Sequence, residues 1–161
     1  MIGNAIAIAL TTISLSVSFQ QFESQRIEAP EMVKEYCEVA EGWTGVDRHI
    51  LEAICFMESS FREKAINGDC VGYMGVSVRY HQAEAEAMGL NDLLDGYTNI
   101  IVASSYLGEL LEKYPTELAL MVYHGEANAL EKYERGEFSF YAKRVLELAK
   151  FFEGRYGRNE W

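Results

Sequence analysis

Apolar side chains recur at intervals of three and four residues along most of the chain after residue 22. This spacing is typical of amphipathic helices, whose apolar face packs against a core. Start signals precede three of the segments, with Pro30 before the first, Asp47 before the second and Ser139 before the last. Gly42 is expected to end the first helix. The pattern predicts an all-α fold, with one domain over residues 30–157.

One segment between predicted helices has no helical periodicity. Residues 67–75 read Asn-Gly-Asp-Cys-Val-Gly-Tyr-Met-Gly and contain three glycines in nine positions. Loops of this kind carry function more often than plain connections do. We therefore expect this glycine-containing loop to form part of an active site.

The first stretch of the chain, residues 1–22, carries no charged side chain, and its apolar run extends from Ala5 to Val17. The length suits the apolar core of a signal peptide, although no Lys or Arg precedes it. A membrane anchor is an alternative, because the run could just span a bilayer. A core strand is another, since part of the run alternates. We predict an apolar N-terminal leader, a signal peptide or membrane anchor, and hence an exported protein of the cell wall, periplasm, extracellular space or membrane.

Composition narrows the class of partner. The chain has 161 residues, with 25 acidic and 14 basic side chains, a net charge of −11 and a pI near 4.7. Its hydrophobic content of 49% argues against a disordered chain. Because affinity for phosphates requires clustered Lys and Arg, the acidity argues against a nucleic-acid partner.

The spacing of the cysteines and histidines argues against a metal site and against a Cys–His peptidase site. The three cysteines are Cys37, Cys55 and Cys70, and the three histidines are His49, His81 and His124. The cysteines form no CxxC pair, and buried reduced thiols are preferred over a single disulfide because their number is odd. The histidines form no HxxxH or HExxH motif, so we expect no metal and no cofactor. A Cys–His peptidase is also disfavoured, because Cys55 falls on an apolar helix face.

Glu58 is the most informative residue. It continues the apolar stripe of Leu51, Ile54 and Cys55, so it projects toward the core side of its helix, where Phe61 should flank it. Burial disfavours the charged form of a carboxyl group, which is how a glutamic acid becomes a general acid near neutral pH. A rim residue and a hydrogen-bonded core acid are the structural alternatives.

Several segments around and after Glu58 carry a resemblance. A helix that ends in Glu58-Ser59, followed by the turn Gly72-Tyr73-Met74-Gly75, resembles the soluble lytic transglycosylase family of the lysozyme-like superfamily, in which a Glu-Ser helix end precedes a Gly-Leu-Met-Gln turn. Further similar segments follow in the family's order at Tyr97–Ile100, Leu118–His124 and Tyr141–Val145.

The resemblance implies a lysozyme-like helical domain that acts on the glycan strands of peptidoglycan. The expected reaction breaks the β-1,4 bond between N-acetylmuramic acid and N-acetylglucosamine without water and leaves a 1,6-anhydro sugar. Glu58 would protonate the leaving oxygen and then accept the proton of the C6 hydroxyl. An intramolecular nucleophile makes a second carboxylate unnecessary. Small enzymes of this family also occur in phages and mobile elements, which suggests such an origin.

The resemblance also suggests which residues contact the substrate. These are Ser59, Asn67, Tyr73, Met74, Gly75, Tyr123, His124 and Tyr141. Tyr73 and Met74 would line the cleft, and a hydroxyl of Tyr123 or Tyr141 would bind Glu58. Ser59 would orient the acid or the substrate.

Three of these positions depart from the family pattern. Gly75 stands where the family has Gln, His124 where it has Asn, and Asn67 where Ser is common. Two alternatives to the transglycosylase stay open, and the changes at Gly75 and His124 prompt the second of them. One is a hydrolytic muramidase that uses Asp69 or Asp95 as a second carboxylate. The other is a catalytically weakened module that only binds peptidoglycan.

Overall fold

A computed structural model describes residues 27–156 of the chain. The described residues form seven helices and three short strands, in the order α1 (Glu31–Thr44), α2 (Arg48–Ser59), β1 (Ile66–Asn67), β2 (Cys70–Val71), β3 (Val76–Ser77), α3 (Val78–Ala87), α4 (Gly96–Lys113), α5 (Thr116–Tyr123), α6 (Ala129–Glu134) and α7 (Phe140–Tyr156). The leader predicted at residues 1–22 lies outside the described residues, as does residue 157, and both boundaries stay predictions.

Helix α1 begins where the sequence predicts and ends later than the sequence predicts. Pro30 precedes the helix as expected, with a φ of −56°. Gly42, however, lies inside α1, and the helix ends two residues later, at Thr44. Gly45 adopts a left-handed φ of 72° and its N–H binds the Glu41 carbonyl. The prediction for Gly42 was wrong because a helix tolerates an interior glycine, whereas its end needs the left-handed residue.

Helix α2 begins as predicted and ends in an unusual turn. The Asp47 carboxylate caps its N-terminus by accepting from the N–H groups of His49 and Ile50. After the helix, Ser60 and Phe61 both have positive φ values, 51° and 61°. Such a conformation costs a non-glycine residue about 1–2 kcal/mol. The Phe61 ring packs against other aromatic rings of the core, which helps to offset that cost.

The glycine-containing segment forms a small antiparallel sheet in the order β1-β2-β3. Ile66 pairs with Val71, and Val71 pairs in turn with Val76. Strands of two residues are too short to show an alternating pattern, so the sequence predicted a loop here. The fold is otherwise helical, as expected, and the sheet lies between α2 and α3.

The helices enclose one hydrophobic core. Helix α2 packs mainly against α7, and α1 packs against α4 and α2. The largest fully buried side chains include Leu51, Ile54, Met74 and Phe152. Helix α2, which carries Glu58 in its last turn, thus packs against both the first and the last of the described helices. None of the helices among residues 27–156 is long and apolar enough to span a membrane.

Candidate active site

Glu58 lies in the last turn of α2, between two cavities. Its side chain is 22% exposed. The aromatic cavity has a volume of about 500 Å³ and is lined by Met57, Glu58, His124, Gly125, Glu126, Ser139, Phe140 and Tyr141. The loop cavity has a volume of about 650 Å³ and is lined by Glu58, Ala65, Asn67, Cys70, Gly72, Gly75, Val76, Ser77, Tyr80, His81, Ala103, Tyr106, Val122, Tyr123, His124 and Gly125. The carboxyl group is thus sheltered and still accessible from two sides.

Gly75 lies against Glu58 on the loop side of the site. Its φ is +63°, and a Cβ atom built on it would lie 2.9 Å from Glu58 Oε2. The backbone of the loop therefore approaches the carboxyl group at a distance that leaves no room for a side chain. Asn67 lines the same cavity from β1. The structure brings both predicted residues to the site.

Tyr73 and Met74 do not line either cavity, which corrects the prediction that they form the cleft. Met74 is fully buried in the core. The Tyr73 ring lies against Gly96 at the start of α4, and burial raises the pKa of its phenol. The tight turn between β2 and β3 directs these two side chains inward, so backbone atoms and Gly75 face the cavity instead.

Ser59 is also turned away from the substrate cavities. Its side chain is buried, and its hydroxyl donates to the Cys55 carbonyl at 2.9 Å. The same oxygen accepts from the Arg62 N–H at 3.2 Å. A serine near a helix end commonly bonds the carbonyl one turn earlier. The proposed contact of Ser59 with the acid or the substrate is therefore a wrong prediction.

The expected neighbour of Glu58, Phe61, also lies elsewhere. Its ring packs against Phe56 and Phe152 and lines neither cavity. The left-handed turn at Ser60 and Phe61 rotates the chain away from the helical path. The helical spacing that placed Phe61 beside Glu58 no longer applies at that point.

Asn99 holds the loop in place, although the sequence did not mark it as a site residue. It is fully buried in α4, and its Oδ1 accepts from the Met74 N–H at 2.8 Å. Its Nδ2 donates to the carbonyls of Val71 and Leu93. The sequence feature that could have indicated this role is the amide side chain on an otherwise apolar helix face, because a buried amide needs hydrogen-bond partners.

Tyr123 supports the loop from the opposite side. Its hydroxyl donates to the Met74 carbonyl at 2.8 Å. Burial raises the pKa of this phenol well above its usual range, and the negative charge of Glu58 adds to the effect. Tyr123 lines the loop cavity, as predicted, but its hydroxyl binds the loop backbone and not Glu58.

Tyr141 lines the aromatic cavity. Its hydroxyl is buried and makes no hydrogen bond within the described part of the chain. Burial, followed by the charges of Tyr123 and Glu58, raises the pKa of Tyr141. A side-chain interaction with the Glu58 carboxyl contributes to the same rise, although the geometry is not that of a full hydrogen bond. The predicted bond between a Tyr141 hydroxyl and Glu58 therefore stays a prediction.

His124 stands between the two cavities and lines both. Its ring stacks on Tyr141 with the centroids 3.9 Å apart and the planes inclined by 10°. Its Nδ1 lies 3.7 Å from Glu58 Oε1, and its side chain is 48% exposed. His124 thus adjoins the carboxyl group directly, and its contact with substrate stays a prediction.

The two carboxylates suggested for a muramidase lie outside both cavities. The Asp69 carboxylate accepts from the Ser77 hydroxyl and the Arg79 N–H, and the Ser77 bond lowers its pKa. Asp95 caps α4 by accepting from the Thr98 N–H. Both carboxylates serve to fix the backbone, which corrects the prediction of a catalytic role for either.

Glu126, which the sequence analysis missed, lines the aromatic cavity together with Glu58. Its carboxylate accepts from Lys132 Nζ at 2.7 Å. This bond, with a second one from Ser139, lowers the pKa of Glu126. Glu126 follows a helix end without any apolar pattern, so the sequence gave it no distinguishing feature.

The three cysteines are free thiols. Cys37 and Cys55 are buried, as preferred from the sequence, whereas Cys70 is partly exposed at the loop cavity. Partial burial, followed by the charges of Asp69 and Glu58, raises the pKa of the Cys70 thiol, which disfavours a reactive thiolate. No group of three or more metal-ligating side chains occurs within residues 27–156.

A comparison with protein families identifies the domain that the chain contains. The model of the transglycosylase SLT domain matches residues 35–145, which is more than half of the chain. The chain therefore belongs to this family of lytic transglycosylases in the lysozyme-like superfamily. Membership implies peptidoglycan as the substrate.

Proposed function

We propose that the protein is a peptidoglycan lytic transglycosylase that uses Glu58 as its general acid and base. The observation that carries the proposal is the position of Glu58, partly buried at the junction of two cavities. A glycan strand that runs through both cavities would place one sugar on each side of the carboxyl group. The bond to be broken would then lie next to Glu58.

In the first step, Glu58 donates its proton to the glycosidic oxygen while the bond from that oxygen to the muramic acid C1 breaks. Positive charge develops on C1 and the ring oxygen, as in other glycosidase reactions. The Gly75 backbone lies against the Glu58 side chain and so limits where its carboxyl group can move.

In the second step, the C6 hydroxyl of the same sugar attacks C1, and the Glu58 carboxylate accepts its proton. The new bond gives the 1,6-anhydro product and returns Glu58 to the protonated form, so no water is consumed. Because the nucleophile belongs to the substrate, its effective concentration is high and the step needs no second carboxylate.

The test is digestion of purified peptidoglycan followed by mass spectrometry of the soluble fragments. The proposal predicts muropeptides with anhydro ends from the unaltered protein and none above background from Glu58→Gln. Glu35→Gln, on the exposed face of α1 and lining neither cavity, is the matched control and should keep full activity. Undiminished release by Glu58→Gln would contradict the proposal.

A hydrolytic muramidase remains a second candidate because Glu126 shares the aromatic cavity with Glu58. The Lys132 contact keeps Glu126 ionised at neutral pH, as a carboxylate that orients water must be. The same digestion separates the candidates. Reducing ends that are lost in Glu126→Gln would favour hydrolysis, whereas anhydro ends that persist in this variant would favour the transglycosylase.

The same experiments separate a module that binds peptidoglycan without cleaving it. Such a module would still sediment together with cell-wall material and would release no soluble fragments.

We also propose that the protein is exported, on the basis of the apolar residues 1–22 and a substrate outside the cytoplasm. The mass of the protein recovered from envelope and medium fractions tests this, because a cleaved leader removes about 2 kDa from the chain while an anchor leaves it whole.

A further inference from the structure

Two exposed aromatic side chains, Phe140 and Tyr80, border the cavities beside Glu58. Phe140 is 78% exposed and Tyr80 is 75% exposed, which are the highest values of any large apolar side chain in the described part of the protein. Phe140 lines the aromatic cavity, and Tyr80 lines the loop cavity. Each cavity therefore carries one aromatic ring that faces solvent.

The position of these rings distinguishes them from other exposed apolar side chains. Single apolar residues are common on protein surfaces and need no special explanation. The other large apolar side chains that are exposed within residues 27–156, among them Trp43 and Leu130, line neither cavity. The two most exposed rings are thus also the two that border the space around Glu58, and this coincidence points to a ligand.

Neither ring contributes to the packing of the core. Phe140 is the first residue of α7, and Tyr80 lies in the first turn of α3. Both are absent from the hydrophobic core and from the partly buried residues packed against it. The start of α7 is stabilised by Ser139 instead, whose hydroxyl oxygen accepts from the Ala142 N–H. Stability of the fold therefore does not account for an aromatic residue at either position.

The two cavities adjoin each other and form one open groove. Glu58, His124 and Gly125 line both of them. The His124 side chain is 48% exposed and Gly125 is also exposed, so the boundary between the cavities is open to solvent. A ligand long enough to extend from Tyr80 to Phe140 along this groove would pass Glu58 on its way.

A strand of β-1,4-linked N-acetylhexosamines has the chemistry that such a groove suits. The faces of each sugar ring carry C–H groups, whereas the hydroxyl and acetamido groups lie at its edges. The face of an aromatic ring is apolar and carries partial negative charge, so it attracts C–H groups and covers an apolar surface. Polar groups of the groove, such as Asn67 and Glu126, are available to the sugar edges.

We propose that Phe140 and Tyr80 are sugar-binding platforms on the two sides of Glu58, which together hold one glycan strand and make the protein prefer long strands to short fragments. The proposal rests on the proposed function, because the strand is the substrate of Glu58. A fragment that fills one cavity meets only one of the rings. Since neither ring supplies a group to the reaction, the two residues determine which strands bind.

The first test measures binding without cleavage. Oligosaccharides of β-1,4-linked N-acetylglucosamine, from the disaccharide upward, are titrated into Glu58→Gln by calorimetry. In this background, Phe140→Ala and Tyr80→Ala should each raise the Kd of long oligosaccharides about three- to tenfold. The two factors should multiply in the double variant, because the rings lie in separate cavities. The disaccharide is too short to reach both rings and should lose no more than one factor.

Matched variants separate stacking on a ring from other effects. Phe140→Trp and Tyr80→Phe keep an aromatic face and should keep the affinity. Phe140→Leu keeps an apolar side chain without the ring and should bind nearly as weakly as Phe140→Ala. Trp43→Ala and Leu130→Ala remove exposed apolar side chains outside both cavities and should not change binding. Thermal unfolding should be the same in all of these variants, since every altered residue is on the surface.

The second test follows muropeptide release from soluble peptidoglycan strands by the protein with Glu58 intact. Phe140→Ala and Tyr80→Ala should raise KM by the factors seen in binding and leave kcat unchanged, as the loss of uniform binding does. Unaltered affinity in both alanine variants, full affinity in Phe140→Leu, or losses that do not multiply would overturn the proposal. Failure of the proposed function would appear differently, as muropeptide release that does not require Glu58, and would leave the binding results as they are.

Discussion

The two cavities beside Glu58 are built in different ways. Next to the carboxyl group, the loop cavity is bounded by backbone: Gly75 faces the acid, while Met74 is buried and bonded through its own backbone groups. The aromatic cavity is bounded by side chains, among them the stacked rings of His124 and Tyr141 and the exposed ring of Phe140. The loop side therefore depends on where the chain runs, and the aromatic side on which residues it carries.

This difference bears on the two positions beside Glu58 that depart from the family pattern, Gly75 on the loop side and His124 on the aromatic side. On the loop side, a Cβ atom at position 75 would come within 2.9 Å of Glu58 Oε2, so the carboxyl group would have to shift, and the positive φ of this position favours glycine. On the aromatic side, His124 projects from a helix end into open space, so another side chain could be accommodated. The loop side should accordingly respond to substitution through stability, and the aromatic side through chemistry.

The largest effect is expected at Asn99, which connects α4 to the loop. Asn99→Ala leaves the Met74 N–H and the carbonyls of Val71 and Leu93 without their partner in the buried loop. Unpaired buried groups cost about 1–3 kcal/mol each, so we expect the free energy of unfolding to fall by about 3 kcal/mol or more. Urea unfolding measures this loss.

The exposed Asn91→Ala is a suitable control for the Asn99 experiment and should change stability by less than about 0.5 kcal/mol. Asn99→Asp keeps the acceptor for Met74 but turns a second oxygen toward two carbonyls, so it should not restore stability. A variant Asn99→Ala that unfolds at the original urea concentration would show that the loop does not depend on this amide.

Gly75 is expected to combine a smaller loss of stability with a loss of activity. Gly75→Ala places a Cβ at a positive φ, at a cost of about 1–2 kcal/mol. The new atom would also lie 2.9 Å from Glu58 Oε2 and displace the carboxyl group. Displacement of a catalytic group by an ångström can lower the rate about a hundredfold, which muropeptide release would detect.

Gly68→Ala is the matched control for Gly75→Ala. Gly68 lies in the same loop with a φ of +60°, and nothing lies within 4 Å of the Cβ that would be added there. It carries the conformational cost without the contact with Glu58. Equal losses of activity in the two alanine variants would show that loop conformation, and not the approach to the acid, is what matters.

The sequence predicted much of this arrangement, but unevenly. Asp47, Ser139 and the stripe leading to Glu58 follow from local rules of helix capping and periodicity, and the structure agrees with them. The inward turn of Tyr73 and Met74 could not be predicted, because two-residue strands leave no periodic signal. Asn99 and Glu126 were missed for a related reason, since their roles depend on partners that are distant in the sequence or follow an irregular turn.

The smallest effects are expected from two tyrosines, Tyr123 at the loop cavity and Tyr141 at the aromatic cavity. Tyr123→Phe removes a hydrogen bond to the Met74 carbonyl, which should lower the free energy of unfolding by about 1 kcal/mol. Tyr141→Phe removes a buried hydroxyl that has no hydrogen-bond partner within the described residues, so its loss should leave stability unchanged or raise it slightly. Thermal unfolding of the two variants side by side measures the difference. If Tyr141→Phe is the more damaging of the two, its hydroxyl bonds Glu58 in solution, and the aromatic side of the site is then held by a specific hydrogen bond just as the loop side is.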